Sequence, residues 1–326
     1  MKTKILTYLR NTDEYLSGEQ LSRQFQVSRT AVWKYMKQLR EEGYEIESVP
    51  RKGYRLLKTA DKVTASEILS QNKAQWVGQE IEYFESTDST NNRIRSFAEN
   101  GRKEGLLAVA EEQTGGKGRW GRNWVSPKGT GIWISLLLRP QIEPQKASMV
   151  TILAALALVK AIKRTIDLDV QIKWPNDVII NGKKVCGILT EMSAELEAIH
   201  YIIVGIGINA NTEQFDEEIM DRATSIYLES GKKIKRAKLI VEFCQEFEQL
   251  YEIFIERGDL ENVKEEYESC LINIGKTVKI IKNKQELIRK AIGINELGEL
   301  IVEDDKGTRE TVFSGEVSVR GLYGYV

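Results

Sequence analysis

In the first sixty residues apolar positions recur at helical spacing. Ile5, Leu6 and Leu9 predict a short first helix, and Leu21 with Phe25 the apolar face of a second. Ser17-Gly18-Glu19-Gln20 has the form of a capping box opening that second helix. Gln26-Val27 reads as the turn, Ser28 as the N-cap of a third helix bearing Val32, Met36 and Leu39, and Gly43 as its end. Residues 44–56 read as a hairpin with Pro50, Arg51 and Lys52 at its tip. Residues 58–62 read as a polar linker. From residue 66 the pattern is mixed, with Ser66 as the expected cap of a short helix. Strands are predicted at 81–84, 106–110, 132–138, 170–174, 178–180, 183–189 and 200–209. Helices are predicted from Ser89-Thr90-Asn91 to Phe97, over 147–166 (apolar nearly all round), and over 236–254 and 260–270. Asn181-Gly182 predicts a type I′ hairpin turn. The tail is strand and turn, with strands expected at 277–280, 299–303, 311–313 and 316–319. On strict alternation Lys184 shares a strand face with Cys186 and Ile188, and Lys183 with Val185 and Leu189.

A chain of 326 residues suggests two or three domains, and 41% apolar with 29% charged residues is an ordinary globular composition. No apolar run appears long enough to span a membrane, and the start lacks a signal-peptide core, so a cytoplasmic protein without a membrane partner is expected. Cys186, Cys244 and Cys270 are odd in number and widely spaced, as reduced thiols rather than a disulfide or zinc framework. A single histidine, His200, in an apolar strand sets aside triad and histidine–metal chemistry. Charge is unevenly shared: residues 1–58 carry twelve Lys plus Arg against seven Asp plus Glu, while the whole chain is at −1. Helix, short turn and a basic second helix, followed by a basic hairpin, is a winged helix-turn-helix layout. Arg29, Thr30, Trp33, Lys34 and Lys37 on the third helix, with Arg51 and Lys52 on the wing, are its candidate DNA contacts.

The densest chemistry lies in residues 115–124, which hold four glycines, cations and two tryptophans. Gly116, Gly118 and Gly121 match the dinucleotide fingerprint literally, but Pro127 and Gly129 follow where that fingerprint must open a helix. A Walker loop fails as well, since no Lys-Ser or Lys-Thr follows Gly121. The segment reads as an anion cradle between two strands.

Six motifs together resemble those of the biotin protein ligases of the bifunctional, repressor type. They are Ser89-Thr90-Asn91, the run from Gln113 to Arg122, Lys173-Trp174-Pro175-Asn176-Asp177, the run from Lys184 to Leu189, Gly205-Ile206-Gly207-Ile208-Asn209, and the tail from Gly315 to Arg320. The resemblance covers essentially the whole chain in the same order. It implies an α+β multidomain fold: a winged helix (1–62), a mixed α/β catalytic domain of the class II synthetase and lipoate-ligase kind (66–270), and an SH3-like β-barrel (272–326). It implies biotin and ATP as substrates with Mg²⁺, a biotinyl-5′-adenylate intermediate, and transfer to a lysine of a biotin carboxyl carrier domain. It further implies operator DNA and, with adenylate bound, a homodimer.

By the same resemblance Lys184, Arg119 and Asp177 are the catalytic residues, Asp177 being either a base near the acceptor amine or a Mg²⁺ partner; no residue is assigned as a dedicated metal ligand. Ser89, Thr90, Asn91, Gln113, Lys117, Gly118, Arg119, Lys184 and Gly187 would bind biotin. Arg119, Arg122, Trp124, Asn176, Lys184, Asn209 and Arg320 would bind the nucleotide, Trp124 by stacking on adenine. Lys117 stands where the family usually has Arg, which keeps a backbone role but not a forked side-chain contact. Two alternatives share part of the pattern: a lipoate ligase, and a ligand-sensing repressor without ligase activity.

Overall fold

The computed structural model describes all residues except 197, 283–284, 315–317 and 322–324. Gly315, Glu316 and Val317 of the tail motif therefore lie outside the described residues. The N-terminal unit is α1 (Lys2–Arg10), α2 (Gly18–Phe25), α3 (Arg29–Glu41), β1 (Glu45–Val49) and β2 (Gly53–Lys58), around Ile5, Leu6, Leu9, Leu21, Val32, Met36 and Leu39. The capping box is reciprocal: Gln20 N donates to Ser17 Oγ at 3.0 Å and Ser17 N to Gln20 Oε1 at 2.7 Å. Such a cap contributes about 1 kcal/mol. Ser28 caps α3 by accepting from Ala31 N at 3.1 Å. Gly53 (φ +119°) cannot be another residue, since a Cβ there would meet Leu16 O at 2.2 Å where Leu16 bridges Tyr54.

The central unit comprises α4 (Ala65–Leu69), β3 (Glu80–Phe84), α5 (Thr90–Glu99), β4 (Leu106–Ala110), β5 (Ile132–Leu138), α6 (Ala147–Thr165), β6 (Val170–Lys173), β7 (Asp177–Ile180), β8 (Lys183–Ala194) and β9 (Ile199–Ile208). It closes with α7 (Ile226–Ser230), α8 (Arg236–Arg257) and α9 (Glu261–Cys270). Its seven strands run β3-β4-β5-β9-β8-β7-β6, antiparallel except for β3 beside β4. Both faces are covered, which is why β4 is apolar at every position: Leu107 and Val109 join the core beneath α6 and α8, while Leu106 and Ala108 face α5. Thr64, not Ser66, caps α4, accepting from Glu67 N through its hydroxyl at 3.3 Å, and Ser66 is buried inside the helix.

Contrary to the expectation from sequence, one segment among the described residues has the length and apolarity of a membrane span. Pro144–Thr165 spans 22 residues and contains a stretch of mean hydropathy 1.5, apolar and long enough to cross a bilayer by composition alone. Its apolarity has another cause, for α6 packs between the sheet and α8 and 72% of that stretch is buried.

The tail forms β10 (Thr277–Lys282), β11 (Gln285–Ile294), β12 (Leu300–Glu303), β13 (Arg309–Val312) and β14 (Ser318–Gly321), an antiparallel sheet in the order β13-β12-β11-β10-β14. Strand β11 was absent from the sequence pattern because its first half, Gln285 to Ile288, is exposed and carries no inward-facing alternation. Phe313 falls just beyond β13 and is exposed.

The segment read as a polar linker is tied down. Arg236, 1% exposed, donates from its backbone N to Asp61 Oδ1 (3.0 Å), from Nε to Asp61 Oδ2 (3.1 Å) and from a terminal nitrogen to Glu111 Oε2 (2.9 Å). It also donates to Gly131 O at 3.0 Å, so one guanidinium joins the linker to both feet of the 111–131 loop. Nearby, Glu67 of α4 accepts from Arg10 of α1 and from Tyr44, holding the winged helix against the central unit.

Candidate active site

The glycine-rich segment folds as a hairpin rising from the sheet. Gln113 pairs with Ser126, Lys117 with Asn123, and a short 3₁₀ turn at Arg119–Gly121 forms the tip, where Trp120 and Gly121 both have positive φ. Gly116 is packed so closely that a Cβ would meet Trp124 O at 2.4 Å. The Gly118 N–H donates to Arg122 O at 2.7 Å, so the backbone cradle is closed on itself here. No helix follows the glycines, in keeping with a cradle rather than a dinucleotide fold.

Beneath this hairpin the sheet is bare. Gly187 and Gly207 pair across β8 and β9, and a Cβ on either would strike Trp124, at 3.0 Å from Cζ3 and 2.5 Å from Nε1 respectively. The indole lies on this glycine floor, and its buried Nε1 finds no acceptor among the described residues. Two pairs along, Gly205 leaves room for Asn91, whose Oδ1 would be 2.1 Å from a Cβ there. Asn91 accepts from Ser135 Oγ (2.6 Å) and donates to Glu191 Oε2 (2.6 Å), so its polar atoms brace the floor. Thr90 donates to Gln113 Oε1 from both N (2.8 Å) and Oγ1 (3.0 Å), and Gln113 donates to Ser126 Oγ at 3.0 Å. Ser89, buried beside them, is the N-cap of α5 without a capping side-chain bond.

Strict alternation misplaced Lys184. A bulge at Val185 breaks the β7–β8 register: Cys186 pairs with Val178, but Lys184 pairs with Ile179. Cys186 and Ile188 point into the core, whereas Lys184 turns to the face of Gly187, its Nζ 3.0 Å from where a Cβ on Gly187 would stand. There Lys184 Nζ lies 2.6 Å from Asp177 Oδ1 and 5.1 Å from the Trp124 ring. The bulge is supported by Asn209, whose N donates to Val185 O at 2.9 Å and whose side chain donates to Thr224 O at 3.1 Å.

Arg119 donates to Asn176 Oδ1 (3.1 Å) and to Ser314 O (2.6 Å), and Asn176 donates to Ile188 O (2.9 Å). Arg119 and Arg122 both lie over the exposed Trp120 ring, at 4.8 and 5.4 Å. Burial lowers the Arg119 pKa, with Asp177 opposing and Arg122 reinforcing the shift. Burial raises Asp177, but Lys184, the Tyr325 hydroxyl and Lys173 together hold its carboxyl below the usual range. Lys173, whose motif alone does not mark it as a site residue, is 5% exposed, and burial pushes its pKa down to about 8, with Asp177 opposing and Lys184, Arg320 and Arg122 adding to the fall. Arg320 itself is exposed on β14 opposite Lys279. Tyr325, which carried no sequence signal, donates its hydroxyl to Asp177 Oδ2.

A second face is built by α3 and the wing. Arg29, Thr30, Trp33, Lys34, Lys37, Arg51 and Lys52 are all exposed, while Val32, Met36 and Leu39 face the core. Arg29 pairs with Glu19 at 2.7 Å, and Lys37 with Glu41 at 3.8 Å. His200, on β9, is exposed, and its imidazole lies 3.4 Å from Glu195.

Residues 83–209 match the Biotin/lipoate A/B protein ligase family, residues 2–55 an HTH domain, and residues 274–320 the Biotin protein ligase C terminal domain. The chain is 41% identical over 308 residues to the Bifunctional ligase/repressor BirA of Bacillus spizizenii, covering 94% of each. It is 29% identical over 321 residues to the protein of the same name from Escherichia coli, covering 97% of this chain and 96% of that one. Among solved structures it is similar to the biotin protein ligase from Aquifex aeolicus in complex with biotin and ATP, at 30% identity and a TM-score of 0.66, covering 74% of this chain and 99% of that chain. With the winged helix, the central sheet and the tail each matched, this chain belongs to the family of bifunctional biotin ligase/repressors.

Proposed function

We propose that the protein joins biotin to ATP as biotinyl-5′-adenylate, transfers the biotinyl group to a lysine of a biotin carboxyl carrier domain, and represses biotin genes as an adenylate-loaded dimer. The observation that carries the ligase reading is Lys184 Nζ, 2.6 Å from Asp177 on the edge of a glycine floor covered by Trp124. A flat bicyclic ring fits a floor without side chains, and Ser89, Thr90 and Gln113 offer hydrogen-bonding groups at its end for a ureido group. Trp124 occupies that floor here, so the ring's arrival displaces the indole toward the adenine. Lys117 and Gly118 of the hairpin close over the ligand with Arg119.

In the first half-reaction a biotin carboxylate oxygen attacks the α-phosphorus of ATP, and the bond to the β-phosphate bridging oxygen breaks to release pyrophosphate. Negative charge gathers on the phosphoryl oxygens, so fixed cations contribute most there. Lys184 bridges carboxylate and phosphate; Arg119 and Arg122 hold the phosphate side, with Asn176, Asn209 and Arg320 around the nucleotide. In the second, the carrier amine attacks the acyl carbon, AMP leaves with the bonding pair, and the amine nitrogen passes its surplus proton to Asp177 or to solvent. Mg²⁺ would neutralise phosphate charge. Asp177, its oxygens facing Lys184 and Tyr325, is the carboxylate that would hold that ion or would take the proton of the acceptor amine.

The exposed basic face of α3 and the wing supports operator binding, and two such faces in a dimer would meet two half-sites. Domain limits at 62/66 and 270/272 are part of this reading. ATP–pyrophosphate exchange tests it: exchange that depends on biotin and not on lipoate is expected. Exchange with lipoate, or none with either substrate despite operator binding, would replace it with one of the two alternatives.

A further inference from the structure

The turn that carries Asp177 is held from the C-terminal sheet. Trp174 N donates to Asn273 Oδ1 at 2.8 Å and its indole Nε1 to Gly298 O at 2.9 Å. Tyr325 reaches the same turn: its hydroxyl donates to Asp177 Oδ2, and its ring centroid lies 3.4 Å from Lys173 Nζ. Val326 rests on the neighbouring hairpin turn, a methyl carbon 3.3 Å from where a Cβ on Gly182 would stand.

The two oxygens of Asp177 are thereby divided, Oδ1 toward Lys184 and Oδ2 to the phenol. Lys173 is a second buried ammonium whose charge already bears on Asp177. In a site of low dielectric both cations are drawn strongly to the one carboxylate. The Tyr325 hydroxyl takes the Asp177 oxygen that Lys184 leaves, and its ring faces the Lys173 ammonium.

We propose that Tyr325 is a positioning residue for adenylate formation, which separates Asp177 from Lys173 and so keeps the carboxylate committed to Lys184. Lys184 Nζ then stays fixed where the biotin carboxylate and the α-phosphate meet. The inference rests on the ligase reading.

The test uses full-length Tyr325→Phe and Tyr325→Leu in biotin-dependent ATP–pyrophosphate exchange. Loss of one hydrogen bond to a charged group should lower kcat about tenfold in Tyr325→Phe. The KM for biotin should stay within about twofold, because the contact acts on the reacting centre rather than on the ring. Tyr325→Leu, which also uncovers Lys173, should fall further. A merely structural role would lower the melting temperature and the fraction of active sites but leave kcat per titrated site at the wild-type value, and that result overturns the inference. So does either variant turning over faster with a lower KM for ATP, since Tyr325 would then be an occupant that the nucleotide displaces. Absence of exchange in the wild type overturns the ligase reading itself, a result visible before any variant is made.

Discussion

Arg236 and Asp61 lie 175 positions apart in the chain and meet through three hydrogen bonds, backbone N to Oδ1 at 3.0 Å, Nε to Oδ2 at 3.1 Å and a terminal nitrogen to the Asp61 backbone O at 3.0 Å. The same guanidinium holds Glu111 and Gly131 at the feet of the glycine-rich hairpin. Removing one partner of a buried ion pair leaves the other charge undercompensated. Asp61→Asn should therefore destabilise the protein by about 2 kcal/mol, less than for a fully buried pair because Glu111 remains. Thermal or urea unfolding measures it. Deleting residues 1–65 should cost more stability than deleting residues 1–58, though both should lose operator binding. Equal melting of the two truncations would mean that the Asp61 contact is idle.

Lys184→Ala should lower adenylate formation about 10²–10³-fold, as when a donor to a developing oxyanion is removed. Biotin binding, read by calorimetry, should change far less, since the charge matters most as the phosphate is attacked. Unchanged pyrophosphate exchange in this variant would move the central lysine elsewhere.

Arg119 joins the hairpin tip to Asn176 and to Ser314 O of the tail. Arg119→Gly frees the hairpin from both. Adenylate should still form but escape, and added bystander proteins should become biotinylated alongside the carrier domain. Strict selectivity for the carrier in this variant would exclude a clamping role.

Lys173 gives a pH dependence with a definite sign. Its folded pKa of about 8 lies below the ordinary lysine value of 10.5, so the folded state binds this proton less tightly than the unfolded state. Stability from this group is lowest below about pH 8 and rises as pH climbs toward 10.5. Lys173→Met should thus be more stable than wild type at pH 7, with the gap narrowing by pH 10 in urea titrations. A gap independent of pH would show that Lys173 is not buried as a charge.

On the DNA face, Lys34→Ala should weaken operator binding. If the contact is to phosphate, the slope of log K against log salt should flatten by about one unit per subunit. Binding should tighten when biotin and ATP are both present, because on the proposed reading the adenylate favours the dimer. Equal affinity with and without the adenylate would count against a ligand-controlled repressor.

Local chemistry was legible wherever neighbours in sequence are neighbours in space. The Ser17–Gln20 capping box, the Ser28 cap and the positive φ of Asn181 and Gly182 each involve residues within one turn of chain, so their order alone sets the geometry. The apolar helix α6 was equally plain, although its composition also suits a bilayer and only its place between sheet and α8 distinguishes the two. Tertiary structure decided the rest. Lys184 reaches the face of Gly187 and Trp124 because one extra residue, Val185, bulges against β7, and a bulge depends on pairing with another strand rather than on the strand's own pattern. Arg236 with Asp61 and Glu111, and Tyr325 with Asp177 and Lys173, join segments separated by more than a hundred positions. Nothing local marks such partners, because burial, not sequence spacing, makes each charge seek the other.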